Sequence, residues 1–227
     1  MNLLDAVVIE PTAPHTASVI WLHGLGASGH DFEPVIPWLR RPDVRFVLPH
    51  APERPVTLNG GWVMPAWYDI RHLKEGPERE DAEHIADATE RIRELVAAEV
   101  ARGIPADRIA LVGFSQGAAM ALHTGIRHPD RLAGIAVLSG YLLLEPTIPA
   151  EATAANAQTP LLFCHGTRDG VVRVQRGQKA HALMTDAGRP TEWHDWPMSH
   201  EVVPDEIEVI RQWLERVLPA RGSAPTP

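Results

Sequence analysis

The chain has one cysteine among its 227 residues, little clustered basic charge, and no stretch near the ~18 apolar residues a membrane-crossing helix needs. With only Cys164, an intrachain disulfide is excluded, and its place in the apolar run PLLFCHG reads as a buried structural thiol. Lys and Arg number 21 against 29 Asp and Glu, a formal net charge of −8, and no block of five or more basic residues occurs. A nucleic-acid partner is therefore not expected. The opening MNLLDAVVIEP lacks a basic segment and Asp5 interrupts its apolar run, so no secretory signal is expected. Twelve histidines are present, but neither HExxH nor a carboxylate-linked His pair at ligand spacing occurs, so no metal and no cofactor are expected. A cytoplasmic setting fits these absences.

What is present suits one packed domain. At 44% hydrophobic and 22% charged, the chain can bury a core, and no internal repeat or linker divides residues 1–220. The tail RGSAPTP, residues 221–227, is expected to be disordered. Short β-rich runs (LLDAVVIE, ASVIWLH, VRFVLP, RIALVGF, LAGIAVLS, PLLFCHG, PTEWHDW) alternate with helical periodicity at Glu80 to Arg102, Gln116 to His128, Val174 to Ala187 and Pro204 to Leu218. That alternation predicts an α/β fold: one mostly parallel sheet with helices on both faces and no large lid. Between Ala51 and Pro77 the chain carries four prolines with Trp62, Trp67 and Tyr68. This reads as a long functional loop, too aromatic to be disordered.

Two glycine motifs compete for the function. GLGASG, Gly24 to Gly29, matches the dinucleotide fingerprint GxGxxG. A dinucleotide loop should open a long helix and be followed by an acid at the end of the next strand, yet Pro34 and Pro37 interrupt the helix and VRFVLP ends in Pro49 and His50. His23 before the first glycine instead suits an oxyanion loop of the HG type. The second motif, IALVGFSQGAAMA, places GxSxG between a strand and a helix, which is the context of a nucleophilic serine. Ser115 at that turn would project above the sheet, with the Gln116 amide at a helix N-terminus. A serine needs a base, and the base needs an orienting acid. Asp169 follows PLLFCHG and His200 lies between the last strand and the last helix, so they are the candidate acid and base. His194 falls in a strand pattern, His123 and His128 belong to the helix after Ser115, and His165 is better suited to supporting the acid loop.

HGLGASGHDF, PVTLNGGWVMPAWYDI, GFSQGAAMAL, LSGYL, HGTRDGVV and MSHEV, in that order, resemble the carboxylesterase, lysophospholipase and acyl-protein thioesterase family of α/β-hydrolases, from about Ala6 to Leu218. The resemblance implies the same Ser115, Asp169 and His200, and an oxyanion hole of the Leu25 and Gln116 backbone amides. It also implies an acyl cleft lined by Ile70, Leu73, Tyr141 and Val171 with Trp62 and Met64 nearby, although the same residues could simply pack the long loop onto the body. Ser199, Gly170 and Arg173 depart from the family's pattern and bear on loop rigidity and the acyl entrance. The expected activity is a serine carboxylesterase acting on small-molecule esters, short- to medium-chain or lysophospholipid, through an acyl-enzyme. Acyl-protein thioesterase activity on acyl-thioesters is the alternative, and a non-catalytic binding protein on a hydrolase fold the remote one. Homodimerisation is left open.

Overall fold

The computed structural model describes residues 3–220 apart from 73, 75 and 77. Among the described residues nine strands and five α-helices are formed: β1 (Ala6–Ile9), β2 (Ala17–Leu22), β3 (Val44–Pro49), β4 (Glu53–Val56), β5 (Trp62–Pro65), α1 (Ala82–Ala101), β6 (Ile109–Phe114), α2 (Gln116–Ile126), β7 (Gly134–Leu138), α3 (Ile148–Glu151), β8 (Leu161–Gly166), α4 (Val174–Asp186), β9 (Thr191–Trp196) and α5 (Pro204–Val217). Seven strands make one sheet in the order β1-β3-β2-β6-β7-β8-β9. Every pairing in it is parallel except the antiparallel edge β1 on β3. All seven strands and four helices expected from periodicity are present within a few residues of their expected ends.

Strand alternation divides the core into two layers. Ile20 and Leu22 of β2, Leu111 of β6 and Phe163 of β8 join the residues under α1, α2 and α4. Val19 and Trp21, Val112 and Cys164, one residue out of phase, join Ile210, Trp213 and Leu214 of α5 on the opposite face. The central strands are buried on both sides, which is why they read as nearly continuous apolar runs. Helix α1 starts where the Asp81 side chain accepts the His84 backbone N–H at 3.0 Å. It stops before Gly103, whose φ of +96° a residue with a Cβ adopts only under strain.

The segment 51–77 differs from the expectation of an irregular loop. β4 and β5 pair as a short antiparallel ribbon with its own 3-10 turn at Thr57–Asn59. Pro55 and Pro65 hid this ribbon, because prolines argue against a strand unless it lies outside a sheet interior. Downstream of the ribbon, Trp67 and Tyr68 are fully buried. The GLGASG segment leads into 3-10 turns at Gly29–Asp31 and Glu33–Leu39 and not into an α-helix. Among the described residues no helix is long and apolar enough to cross a membrane, and no cluster of three metal-ligating side chains occurs.

Candidate active site

Ser115 occupies the junction of β6 and α2 with φ +56° and ψ −118°. Such a conformation costs a non-glycine residue roughly 1–3 kcal/mol and persists only where the surroundings enforce it. The flanking glycines do so by removing bulk. A Cβ on Gly113 would lie 2.3 Å from the Gly117 carbonyl oxygen, and one on Gly117 would lie 2.3 Å from the Leu22 oxygen and 2.5 Å from that of His23. Gly117→Ala should therefore force β2 and α2 apart and lower stability by about 1–3 kcal/mol. Urea unfolding would measure this, and an unchanged midpoint would show that the elbow tolerates a side chain.

Three loops at the carboxyl ends of parallel strands meet at this turn. His200, after β9, points Nε2 at Ser115 Oγ at 2.8 Å and Nδ1 at Asp169 Oδ2 at 2.6 Å. An ionised carboxylate only accepts, so Nδ1–H donates to Asp169 and the Nε2 lone pair faces the serine hydroxyl. That tautomer is the one a base requires. Asp169, after β8, has a fully buried side chain, and its other oxygen accepts the Val171 and Val172 N–H groups, both at 2.8 Å. His165 braces this loop: its Nε2–H donates to the Val172 carbonyl at 2.8 Å and lies 3.6 Å from Asp169 Oδ2. Burial lowers the His165 pKa, which keeps it a neutral support. The His200 ring packs on Phe114, with centroids 4.7 Å apart.

The first glycine motif lies against the same turn. A Cβ on Gly24 would be 3.4 Å from Ser115 Cβ, so the chain leaving β2 passes directly beside the serine. His23 fixes its course: Nε2 accepts the Ala51 N–H at 2.9 Å, leaving Nδ1–H to donate to the Gly24 carbonyl at 2.7 Å. Burial lowers the His23 pKa, in keeping with that neutral form. Gly26, at φ +74°, donates its N–H to the Pro65 carbonyl at 2.8 Å, so β5 buttresses the loop. The backbone N–H groups of Leu25 and Gln116 have no acceptor among the described residues. The Gln116 amide is thus next to the serine in the chain, and the Leu25 amide follows the glycine that packs against it.

Several contributors were not evident from sequence. The Gln116 side chain accepts the Trp67 N–H and donates to the Tyr68 carbonyl, both at 2.8 Å, tying the 51–77 segment to the elbow. Trp67 Nε1–H donates to the His23 carbonyl at 2.8 Å. The only sequence signal was the glutamine within GFSQG. Of the residues expected to line an acyl cleft, Tyr141 is buried, bonded to the Tyr68 hydroxyl at 2.6 Å, and lines a cavity of about 500 Å³. Ile70 is buried and bridged to Glu80, another wall residue of that cavity. Val171 is 69% exposed beside Asp169, Trp62 is 75% exposed on β5, and Leu73 lies outside the described residues. The tail 221–227 also lies outside them.

Comparison with known proteins agrees with this architecture. The sequence profile of the phospholipase/carboxylesterase family matches residues 3–218. Acyl-protein thioesterase 1 of Gibberella zeae is 37% identical over 95% of this chain and 97% of its own, and acyl-protein thioesterase 1 of Cryptococcus neoformans is 38% identical over 95% and 98%. Among solved structures, SOBER1 of Arabidopsis thaliana superposes with a TM-score of 0.84 at 31% identity, covering 89% of this chain and 99% of that one. Acyl-protein thioesterase 2 of Zea mays superposes with a TM-score of 0.82 at 30% identity, over 94% and 99%.

Proposed function

Because the chain belongs to the phospholipase/carboxylesterase family of α/β-hydrolases, we propose that it hydrolyses acyl thioesters through Ser115, His200 and Asp169. The observation that carries the proposal is the unbroken relay from Asp169 Oδ2 through His200 to Ser115 Oγ, beside two unpartnered backbone amides. His200 Nε2 takes the Ser115 proton as Oγ attacks the carbonyl carbon, and the Leu25 and Gln116 N–H groups receive the developing oxyanion. Collapse expels the thiolate, which takes the proton from His200, and leaves an acyl-serine. Water, deprotonated by the same histidine, then releases the acid and restores the serine.

The thioester preference rests on the relatives, which are named acyl-protein thioesterases at 37–38% identity, and it displaces the oxygen-ester activity expected from the motifs. A carboxylesterase is the second reading, favoured by the family's description and by a structural likeness to esterase PE8, with a TM-score of 0.83 at 27% identity. Both leaving groups yield the same acyl-enzyme, so kcat converges for a given acyl group if its hydrolysis is slow. The discriminating quantity is kcat/KM, which reports the acylation step. Matched oxygen esters and thioesters of two to sixteen carbons should show the thioester ahead at equal acyl length. Oxygen esters ahead at every length would establish the carboxylesterase instead.

A further inference from the structure

His200 reaches the relay from a stretch of chain that few backbone bonds hold. Upstream, the loop is fastened to the end of β8: Thr167 N–H donates to the Trp196 carbonyl at 2.8 Å and Arg168 N–H to the Met198 carbonyl at 3.1 Å. The approach is close, since a Cβ on Gly166 would lie 2.5 Å from the Met198 oxygen and 2.3 Å from that of Ser199. Downstream, the Val203 carbonyl accepts the Ile207 N–H at 3.1 Å and α5 begins. Between these anchors no N–H or carbonyl of residues 199–202 bonds another backbone group among the described residues. The base sits in that gap.

Ser199 and Glu201 close it. Glu201 Oε1 accepts the Ser199 Oγ–H at 2.8 Å and the Ser199 N–H at 3.2 Å, so the residues on either side of His200 are bonded to each other. Ser199 is one of the departures from the family's pattern, and its hydroxyl supplies the shorter of the two bonds. The hydroxyl bond first, and the backbone bond after it, hold the Glu201 carboxyl below its ordinary value of 4.5. It is therefore ionised at every pH at which a histidine of pKa about 6.5 is free to act as a base.

Both residues are exposed, and such a pair adds little to the stability of the whole fold. Its consequence is local. His200 moves a proton in acylation and again in deacylation, and acylation starts from the 2.8 Å contact of Nε2 with Ser115 Oγ. A misplacement of about 1 Å at such a contact can cost about a hundredfold in rate. Asp169 and the Phe114 ring hold the imidazole, and the Ser199–Glu201 bonds hold the backbone that carries it. Resting on the acyl-hydrolase reading above, we propose that Glu201 is a positioning residue: by bracketing His200 with Ser199, it fixes the backbone from which the base reaches Ser115.

The test follows two rates in the full chain, kcat for p-nitrophenyl butyrate and the rate constant for labelling of Ser115 by a fluorophosphonate. Both need His200 to activate the serine, and the second does not depend on which ester the protein prefers. Glu201→Ala should lower each by about tenfold, less than a full ångström's displacement would cost, with KM within about twofold. Glu201→Gln keeps an acceptor oxygen in the same place and should recover most of that loss. Ser199→Ala, which keeps the N–H and loses the hydroxyl, should lower both by about threefold, as for one hydrogen bond. Because both side chains are exposed, melting temperatures should stay within about 2 °C of the wild type. Labelling at the wild-type rate by Glu201→Ala, a Glu201→Gln variant as slow as Glu201→Ala, or slowing matched by a fall in melting temperature would each overturn the bracket. Labelling without turnover of any ester or thioester would count against the hydrolase reading alone, because the labelling rates of the variants still decide the bracket.

Discussion

Ser115→Ala is expected to lower kcat/KM for any ester or thioester this chain turns over by on the order of 10⁴-fold or more, because among the described residues Ser115 supplies the only hydroxyl hydrogen-bonded to His200. The substitution removes the nucleophile and leaves the base, acid and amides in position, so substrate affinity should change little while turnover collapses. The fold should survive, and could gain slightly. Alanine is no better suited than serine to φ +56°, but the buried relay loses an atom that does not brace the elbow; Ser115 is held by backbone bonds to Leu138 and from Ala119. Steady-state kinetics with circular dichroism would check both halves. A second readout is independent of substrate choice: a fluorophosphonate should label the wild-type protein at Ser115 and fail on the variant. Near wild-type turnover by the alanine variant would remove Ser115 from the mechanism.

Glu206→Gln is expected to stabilise the protein at alkaline pH and to flatten the pH dependence of its stability. Glu206 lies in the first turn of α5, fully buried, and neither carboxyl oxygen has a hydrogen-bond partner. Burial pushes its pKa up to about 8. The folded protein therefore holds a proton that the unfolded chain releases above the ordinary value of 4.5. Stability associated with that proton is fully present below pH 4.5 and falls as pH rises towards about 8. At about 1.36 kcal/mol for each unit of that window, the loss reaches a few kcal/mol, about 5 at most. Glutamine is neutral and nearly isosteric, so it removes this dependence. Urea unfolding at pH 5, 7 and 9 should show the variant's advantage growing with pH, and equal stabilities at pH 9 would show that Glu206 is not held protonated.

The relay residues were legible in the sequence because each follows a strand whose apolar run is unmistakable. IALVGF delivers Ser115, PLLFCHG delivers Asp169 and PTEWHDW precedes His200, and in a parallel sheet the carboxyl ends of all such strands face the same way. The order of elements then suffices to bring residues 85 and 31 positions apart into hydrogen-bond contact. GLGASG was legible for a related reason, since prolines within ten residues preclude the helix that a phosphate cradle requires. Its place beside Ser115 follows from β2 pairing with β6.

By itself, the sequence determined what neighbours along the chain decide: the period of each strand and helix, the strained turn that glycines permit, and the order in which three polar residues reach one sheet edge. Tertiary structure alone decided which groups lose water and which partners replace it. By the rules of an isolated helix, Glu206 is a favourable surface acid near an N-terminus, whereas α5 packed on the sheet makes it a buried, unpartnered carboxyl. Gln116 is one polar residue of a motif until the segment of Trp67 and Tyr68 closes over it, and Arg176 is one exposed-looking cation until it meets the Tyr141 ring. Desolvation depends on every element packed around a group, and those elements come from parts of the chain that no local pattern connects.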